Sequence, residues 1–293
     1  MGSIVRITSF ILIICSLASP MQAQILIYHP TNEVLEDLRR DYFDDLLMLA
    51  LEKTRADYGD YEVQPSPKME WRRLLVLMKQ NQYPNMVLVE SYRDGFGDAI
   101  NASYINYPLD KGLLSYRICF VNAAVKEKVA QVQSLDELRQ FTIAQGTGWP
   151  DVAVLRSNGF TVLEFETYPS LFKMVIGGRA DLYCRGLNEL KNEYETYKEL
   201  GQLEYDESFV LQYPLPWFFY ISNSNRVLHQ RVSQGLARAE KDGSLKKLWL
   251  EHFKSSIEFA KLKQRKLYRL ENHNSLHVDG DYQHYWVDPF TLE

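Results

Sequence analysis

Cysteine is scarce in this 293-residue chain, occurring only at positions 15, 119 and 184. No CxxC pair or Cys/His cluster results, which excludes the common zinc sites and a dithiol redox centre. Of the six histidines, His273 and His277 are spaced to face one side of a helix. Asn272, Asn274, Ser275, Asp279 and Gly280 around them spell a loop, so neither a metal nor any other cofactor is expected. Basic runs are absent too, with 33 Lys and Arg against 38 Asp and Glu, which argues against a nucleic-acid partner. No nucleophile elbow or catalytic dyad stands out, and no Gly-rich loop runs into Lys-Ser/Thr as phosphate loops do. Internal repeats, low-complexity tracts and flexible linkers are lacking. So is an apolar run of roughly 20 residues, the length that crosses a bilayer.

The apolar run that does occur lies at the start. Arg6, Phe10 to Cys15 with Leu17, a break at Ser19-Pro20 and then Met21-Gln22-Ala23 spell a short export signal. Cleavage is expected after Ala23, and the competing reading is an uncleaved membrane anchor. Ile14 before Cys15 does not suit a lipoprotein signal. Cys119 and Cys184 remain in the mature chain, both within apolar runs. Export permits a disulfide between them, but two buried free thiols are the favoured reading. Aromatics reach 13%, including 19 Tyr and 5 Trp, enough for a core and for a cleft walled by amphipathic rings.

Strand and helix signals alternate along the rest. Ile25–Tyr28 reads as a strand, and Asn32 caps a helix turning Leu35, Leu38, Tyr42, Leu46 and Leu47 inward. Tyr61–Gln64 and Met86–Val89 are strands, with a helix carrying Trp71, Leu74, Leu75 and Met78 on one face between them. A second series starts at the strand Tyr116–Val121. Ser134 with Glu137 forms a capping box, and strands at Phe141–Ala144, Thr161–Phe165 and Asp181–Cys184 alternate with helices. Phe209–Tyr213 and Trp217–Ile221 are strands again, followed by two amphipathic helices turning at Asp242-Gly243. Such alternation predicts an α/β protein of two units.

Three segments in this order carry a family resemblance: Ser134-Leu-Asp-Glu-Leu138, Gly178-Arg-Ala-Asp181 and Asp242-Gly-Ser-Leu-Lys-Lys-Leu248. The chain resembles the bacterial extracellular solute-binding proteins of family 3, over nearly all of residues 24–270. A poorly characterised branch is the nearer likeness. Its patterns read here as Gly112-Leu-Leu-Ser-Tyr-Arg117, Gly146-Thr-Gly-Trp-Pro-Asp151, Gly178 to Glu189, and Tyr213-Pro-Leu-Pro-Trp-Phe218. The resemblance implies a two-lobed type II periplasmic-binding-protein fold, each lobe a mainly parallel sheet covered by helices. Lobe I would comprise 24–117 plus 213–293 and lobe II 118–212, joined by hinge strands near Tyr116–Val121 and Val210–Tyr213. Where amino-acid-binding members place an acid for the ligand's ammonium, this chain has Gly186, and Glu90 replaces the Thr of their TxxR pattern before Arg93. An ordinary α-amino acid ligand is therefore in doubt.

Candidate ligand-binding residues gather at strand ends and helix starts, where α/β sites form. Gln145, Thr147 and Trp149 belong to a Gly-containing loop before a helix whose N-terminus favours an anion. Arg185 and Glu189, four apart, are read as opening a helix on one face. Arg93 and Arg117 suit a carboxylate. Tyr28, Trp71 and Tyr213 are candidate walls, while Asp181 reads as structural. Together they predict a monomeric, exported binding protein that closes on a small polar ligand, anionic or zwitterionic. Its partner would be a transporter permease of the ABC type or a sensor receptor. The alternative is a secreted lyase on the same fold, similar to cyclohexadienyl dehydratase, with Glu189 or Asp151 as general acid.

Overall fold

The computed structural model describes residues 24–31 and 41–292. The export segment, Asn32, Leu35 and Leu38 lie outside the described residues. Twelve strands are described. They are β1 (Ile25–His29), β2 (Tyr61–Pro65), β3 (Val87–Ser91), β4 (Ala102–Tyr104), β5 (Tyr116–Asn122) and β6 (Thr142–Gly146). Then follow β7 (Thr161–Phe165), β8 (Leu182–Gly186), β9 (Leu203–Tyr205), β10 (Phe209–Gln212), β11 (Trp217–Ser222) and β12 (Lys266–Arg269). The helices are α1 (Asp41–Lys53), α2 (Arg55–Tyr58), α3 (Trp71–Lys79), α4 (Phe96–Ile100), α5 (Lys126–Ala130) and α6 (Leu135–Leu138). They continue as α7 (Pro150–Ser157), α8 (Tyr168–Ile176), α9 (Leu190–Tyr197), α10 (Arg226–Lys241) and α11 (Ser244–Ala260).

The strands form two lobes. In the first, β11 lies antiparallel between β3 and β4, and a parallel bridge from Tyr28 to Met86 brings the β1–β2 pair alongside. In the second, seven strands follow the order β12-β10-β5-β8-β6-β7, with β9 added on β5. The chain enters this sheet at β5 and leaves it through β10, which run antiparallel and touch at Arg117–Leu211 and Tyr116–Gln212. Lys266–Arg269, expected with the first lobe, forms β12 and pairs in parallel with β10 at the edge of the second sheet.

Local sequence explains the elements. Leu74 and Met78 turn inward from α3, and Leu228, Val232 and Leu236 repeat every fourth residue on the buried face of α10. The Asn225 side chain caps α10 by accepting from Leu228 N at 3.1 Å. Ser134 accepts from Glu137 N at 3.2 Å, while the Glu137 carboxylate reaches back to Gln133 N at 2.8 Å, one residue beyond the usual capping-box donor. Asp181 accepts from both Thr142 N and Thr142 Oγ1 at 2.7 Å and is structural.

The favoured reading of the cysteines is corrected. Cys119 on β5 and Cys184 on β8 stand directly opposite each other in the antiparallel register, and they form a disulfide. Sequence separation hid this pairing, which the strand register creates.

After β12 the chain runs back across both lobes. Glu271 exchanges two hydrogen bonds with Asn158 beyond α7 (2.8 and 3.1 Å), and Asn272 donates to Pro214 O at 2.7 Å. Asp94 N then donates to Asn274 O at 2.9 Å, His277 Nδ1 lies 2.7 Å from Asp94 Oδ2, and Tyr104 Oη donates to Asp279 at 2.9 Å. His273 and His277 sit in this segment, and no group of metal-binding side chains occurs among the described residues. No helix among them is long and apolar enough to cross a membrane.

Candidate functional site

A cavity of about 340 Å³ lies between the lobes, a volume suited to a small solute. Phe43 of α1, Trp71 of α3, Glu90 of β3, Arg93 after it, and Trp217 of β11 line it from the first lobe. The second lobe contributes the loop after β6, Tyr168 of α8, and the end of β8 with Asn188 and Glu189. Arg117 enters from the start of β5.

The β5–β8 register sets the floor. Arg117 stands opposite Gly186 and Ile118 opposite Arg185, so the two arginines project from opposite faces of the sheet and meet the cavity at its end. Arg117 is buried, with Nε 3.0 Å from Asp151 Oδ1 and the guanidinium over the Tyr213 ring. Tyr213 Oη donates to the same Asp151 oxygen at 2.6 Å. Burial alone would raise the Asp151 pKa, but Arg117, the Tyr213 hydroxyl and Arg185 outweigh it and hold the carboxyl below its ordinary value. Asp151 is thus an ionised anchor, poorly suited to the general acid that a lyase needs.

Arg185 is equally committed. It lies within β8 instead of opening a helix, and Glu189 stands at the residue before α9. Its Nε is 2.9 Å from both oxygens of Glu193, Nη2 bonds Glu189, and its guanidinium is flanked by Trp149, Tyr168 and Tyr183. Burial and the neighbouring Glu189 leave Glu193 with a raised pKa in spite of Arg185. Glu189 Oε2 accepts from Gly186 N at 3.1 Å, so both Glu189 oxygens are engaged.

The loop before α7 does not offer the open anion cradle its sequence suggests. Thr147 N donates to Phe165 O (3.1 Å), Gly148 N to Glu164 Oε2 (3.1 Å) and Trp149 N to Gly146 O (3.0 Å), while Pro150 has no N–H. The chain's own acceptors consume those donors. Trp149 folds back over Gly146, where any Cβ would collide with the indole.

Seven of the sequence candidates surround the cavity: Trp71, Arg93, Arg117, Thr147, Trp149, Arg185 and Glu189. Three do not. Gln145 is fully buried in β6 and donates to Cys184 O at 3.3 Å. Tyr213 stands behind Arg117 and orients Asp151. Tyr28 packs edge-on against Tyr83 in the first lobe's core. Strand alternation turns Gln145 and Tyr28 away from the cavity, and Tyr213 lies just beyond the end of β10. Sequence reasoning missed Asn188 and Trp217, although both lie inside quoted segments, the Gly178–Glu189 stretch and the Tyr213–Phe218 stretch. Trp217 stacks on Phe43 with centroids 5.9 Å apart.

Charge on the wall nearly cancels. Arg93, Arg117 and Arg185 face Glu90, Asp151, Glu166 and Glu189, and Arg93 Nη1 is 3.6 Å from Glu90. What remains unsatisfied is instructive. Arg117 Nη1, Trp217 Nε1 and Asn188 Oδ1 are buried atoms of residues that line this cavity, and they have no protein hydrogen-bond partner. Buried polar atoms without partners are rare and call for a ligand or water.

No family model matches the chain, and no curated protein matches it. Solved structures do. A putative ABC-transporter binding component from Wolinella succinogenes, complexed with lysine, is 14% identical with TM-score 0.55, covering 78% of this chain and 95% of its own. A histidine kinase sensor domain with similarity to periplasmic binding proteins is 13% identical with TM-score 0.55, covering 79% and 96%. An ancestral amino acid-binding protein, a precursor of cyclohexadienyl dehydratase, is 14% identical with TM-score 0.53, covering 78% and 95%. Two α/β lobes joined by an antiparallel strand pair, with a polar cavity between them, give this chain the two-lobed type II periplasmic-binding-protein fold.

Proposed function

We propose that the protein is an exported solute-binding protein without catalytic activity, whose lobes enclose a small polar solute for ABC-type uptake or for sensing. The observation that carries this reading is the set of three unpartnered buried polar atoms, Arg117 Nη1, Trp217 Nε1 and Asn188 Oδ1, on residues that line one interlobe cavity. Two are donors and one an acceptor, contributed from both lobes and the strand between them. A solute that satisfies all three favours the closed arrangement by its differential contacts. Lobe I as 24–117 plus 213–293 and lobe II as 118–212 fits this reading, with β12 reaching across to β10. Because every arginine on the wall already faces a carboxylate, we propose a solute of no net charge, zwitterions included, over a simple anion. A permease or a sensor receptor would read the closed form of the monomer.

A thermal-shift screen of the chain against amino acids, organic acids, polyamines and sugars is the test. A solute at 100 times its Kd stabilises the native state by roughly 2.7 kcal/mol, a rise in Tm of about 5–10 °C for a chain of this size. No shift with any class at saturating concentration overturns the proposal. Turnover of prephenate-like substrates that Glu189→Gln abolishes would replace it with the lyase reading.

A further inference from the structure

We infer that the solute has two parts, a polar head in the interlobe cavity and a short apolar tail, alkyl or aryl, that occupies a second cavity beside it. The inference rests on the solute-binding reading and adds to it the chemical class of the solute. The second cavity measures about 380 Å³ and lies between α7 of the second lobe and the residues just after β3 in the first. Arg93, Gly148, Trp149 and Pro150 line both cavities, so the two adjoin across one shared wall. Gly148 presents bare backbone in that wall, with no atom within 4 Å of where a Cβ would stand. A solute reaching past it has roughly twice the room of the first cavity alone.

The chemistry of the second wall defines what fits. Tyr92, Val152 and Leu215 are buried side chains that meet it, beside Trp149, Pro150 and Ala153. Most of its polar groups are already engaged. Arg156 Nη1 pairs with Glu164 at 2.7 Å, and its Nη2 donates to Val162 O at 3.1 Å. Tyr92 Oη donates to His277 O at 2.9 Å. Asn272, which closes the cavity from the returning chain, donates to Pro214 O at 2.7 Å and accepts from Asn274 N at 3.0 Å. Arg93 stacks 3.9 Å from the centre of the Phe96 ring, with Glu90 3.6 Å away. A hydroxyl or a charge placed here would give up water for few free partners, whereas hydrocarbon gains by leaving water. The first cavity is opposite in kind, with Arg117, Asn188 and Glu189 on its wall. Head and tail of one solute therefore sort between the two.

The test is calorimetry on the purified chain with two series of no net charge, straight-chain α-amino acids from alanine to 2-aminooctanoate and alkyl glucosides from methyl to hexyl. In at least one series the wild-type affinity should rise about 3- to 4-fold per added methylene until the second cavity is full. Ala153 is exposed on α7 and does not line the first cavity. Ala153→Phe fills the second cavity and Ala153→Glu places a charge in it, neither disturbing the core. Each should leave the shortest member that binds within about 2-fold of its wild-type affinity and flatten the rise among the longer ones. A wild-type affinity that stays level or falls with chain length, or a rise that survives both substitutions, overturns the second cavity and leaves the solute-binding reading standing. If no member of either series binds saturably, the inference falls, and the thermal-shift screen decides the broader reading separately.

Discussion

Asp110 is fully buried, with one carboxylate oxygen accepting from Leu114 N at 2.7 Å and the other without a partner. Burial pushes its pKa up to about 6, against the opposing pull of that hydrogen bond and of Arg117. The folded state therefore holds the proton more tightly than the unfolded chain, whose Asp titrates near 3.9. The stabilising contribution is complete below about pH 4 and is lost as the pH rises through about 6. Asp110→Asn should gain on wild type by roughly 2–3 kcal/mol between pH 4 and pH 7. Urea melts of both proteins at the two pH values check this, and parallel pH dependences would remove the effect. Asp151→Asn should behave oppositely, costing about 3–5 kcal/mol at neutral pH because Arg117 keeps its charge in a buried site without a counter-ion. Side-chain chemistry at strand ends was legible in the sequence, since Arg117 and Arg185 both reach the cavity. Their partners were not: Asp151 and Glu193 reach them from other elements, and only the packed chain shows that both guanidiniums are already engaged. Arg185→Ala, at a residue the sequence offers as a ligand contact, should lower stability by about 3–5 kcal/mol by stranding Glu193.

At the scale of elements, long periodic segments were read well and short ones poorly. The apolar stripe of α10, the cap of α6 and the strand Thr161–Phe165 follow from local pattern. Three strands of three or four residues, β4, β9 and β12, carry too little alternation to be seen and exist because a neighbouring strand pairs with them. The disulfide belongs to the same class, created by the register of β5 on β8. Closing a loop of 65 residues, it should contribute about 4 kcal/mol on the chain-entropy model. Thermal melts with and without reductant, beside a Cys119→Ala, Cys184→Ala double variant, measure this. An unchanged Tm in the double variant would mean that the bond does not stabilise the fold.

For the molecule as a whole, the two-lobed plan followed from the order of strands and the resemblance, whereas the path of the chain after α11 did not. Residues 271–279 are polar and irregular, a composition that reads as loop, yet their side chains and backbone engage both lobes. Asn158→Ala removes two of these links and should weaken the binding of every solute by a similar few-fold factor, leaving the ranking among solutes unchanged. Competition calorimetry over several solutes checks it, and a changed ranking would count against the assignment.

Those contacts would act as a preload on the hinge. A tie that holds the lobes in one arrangement before any solute arrives would raise the fraction of molecules ready to bind, and apparent affinity scales with that fraction. Tightness and discrimination are then adjusted by separate parts of the chain. Substitutions along residues 271–279 would then retune the concentration at which the protein responds, while the cavity wall goes on choosing the same solute.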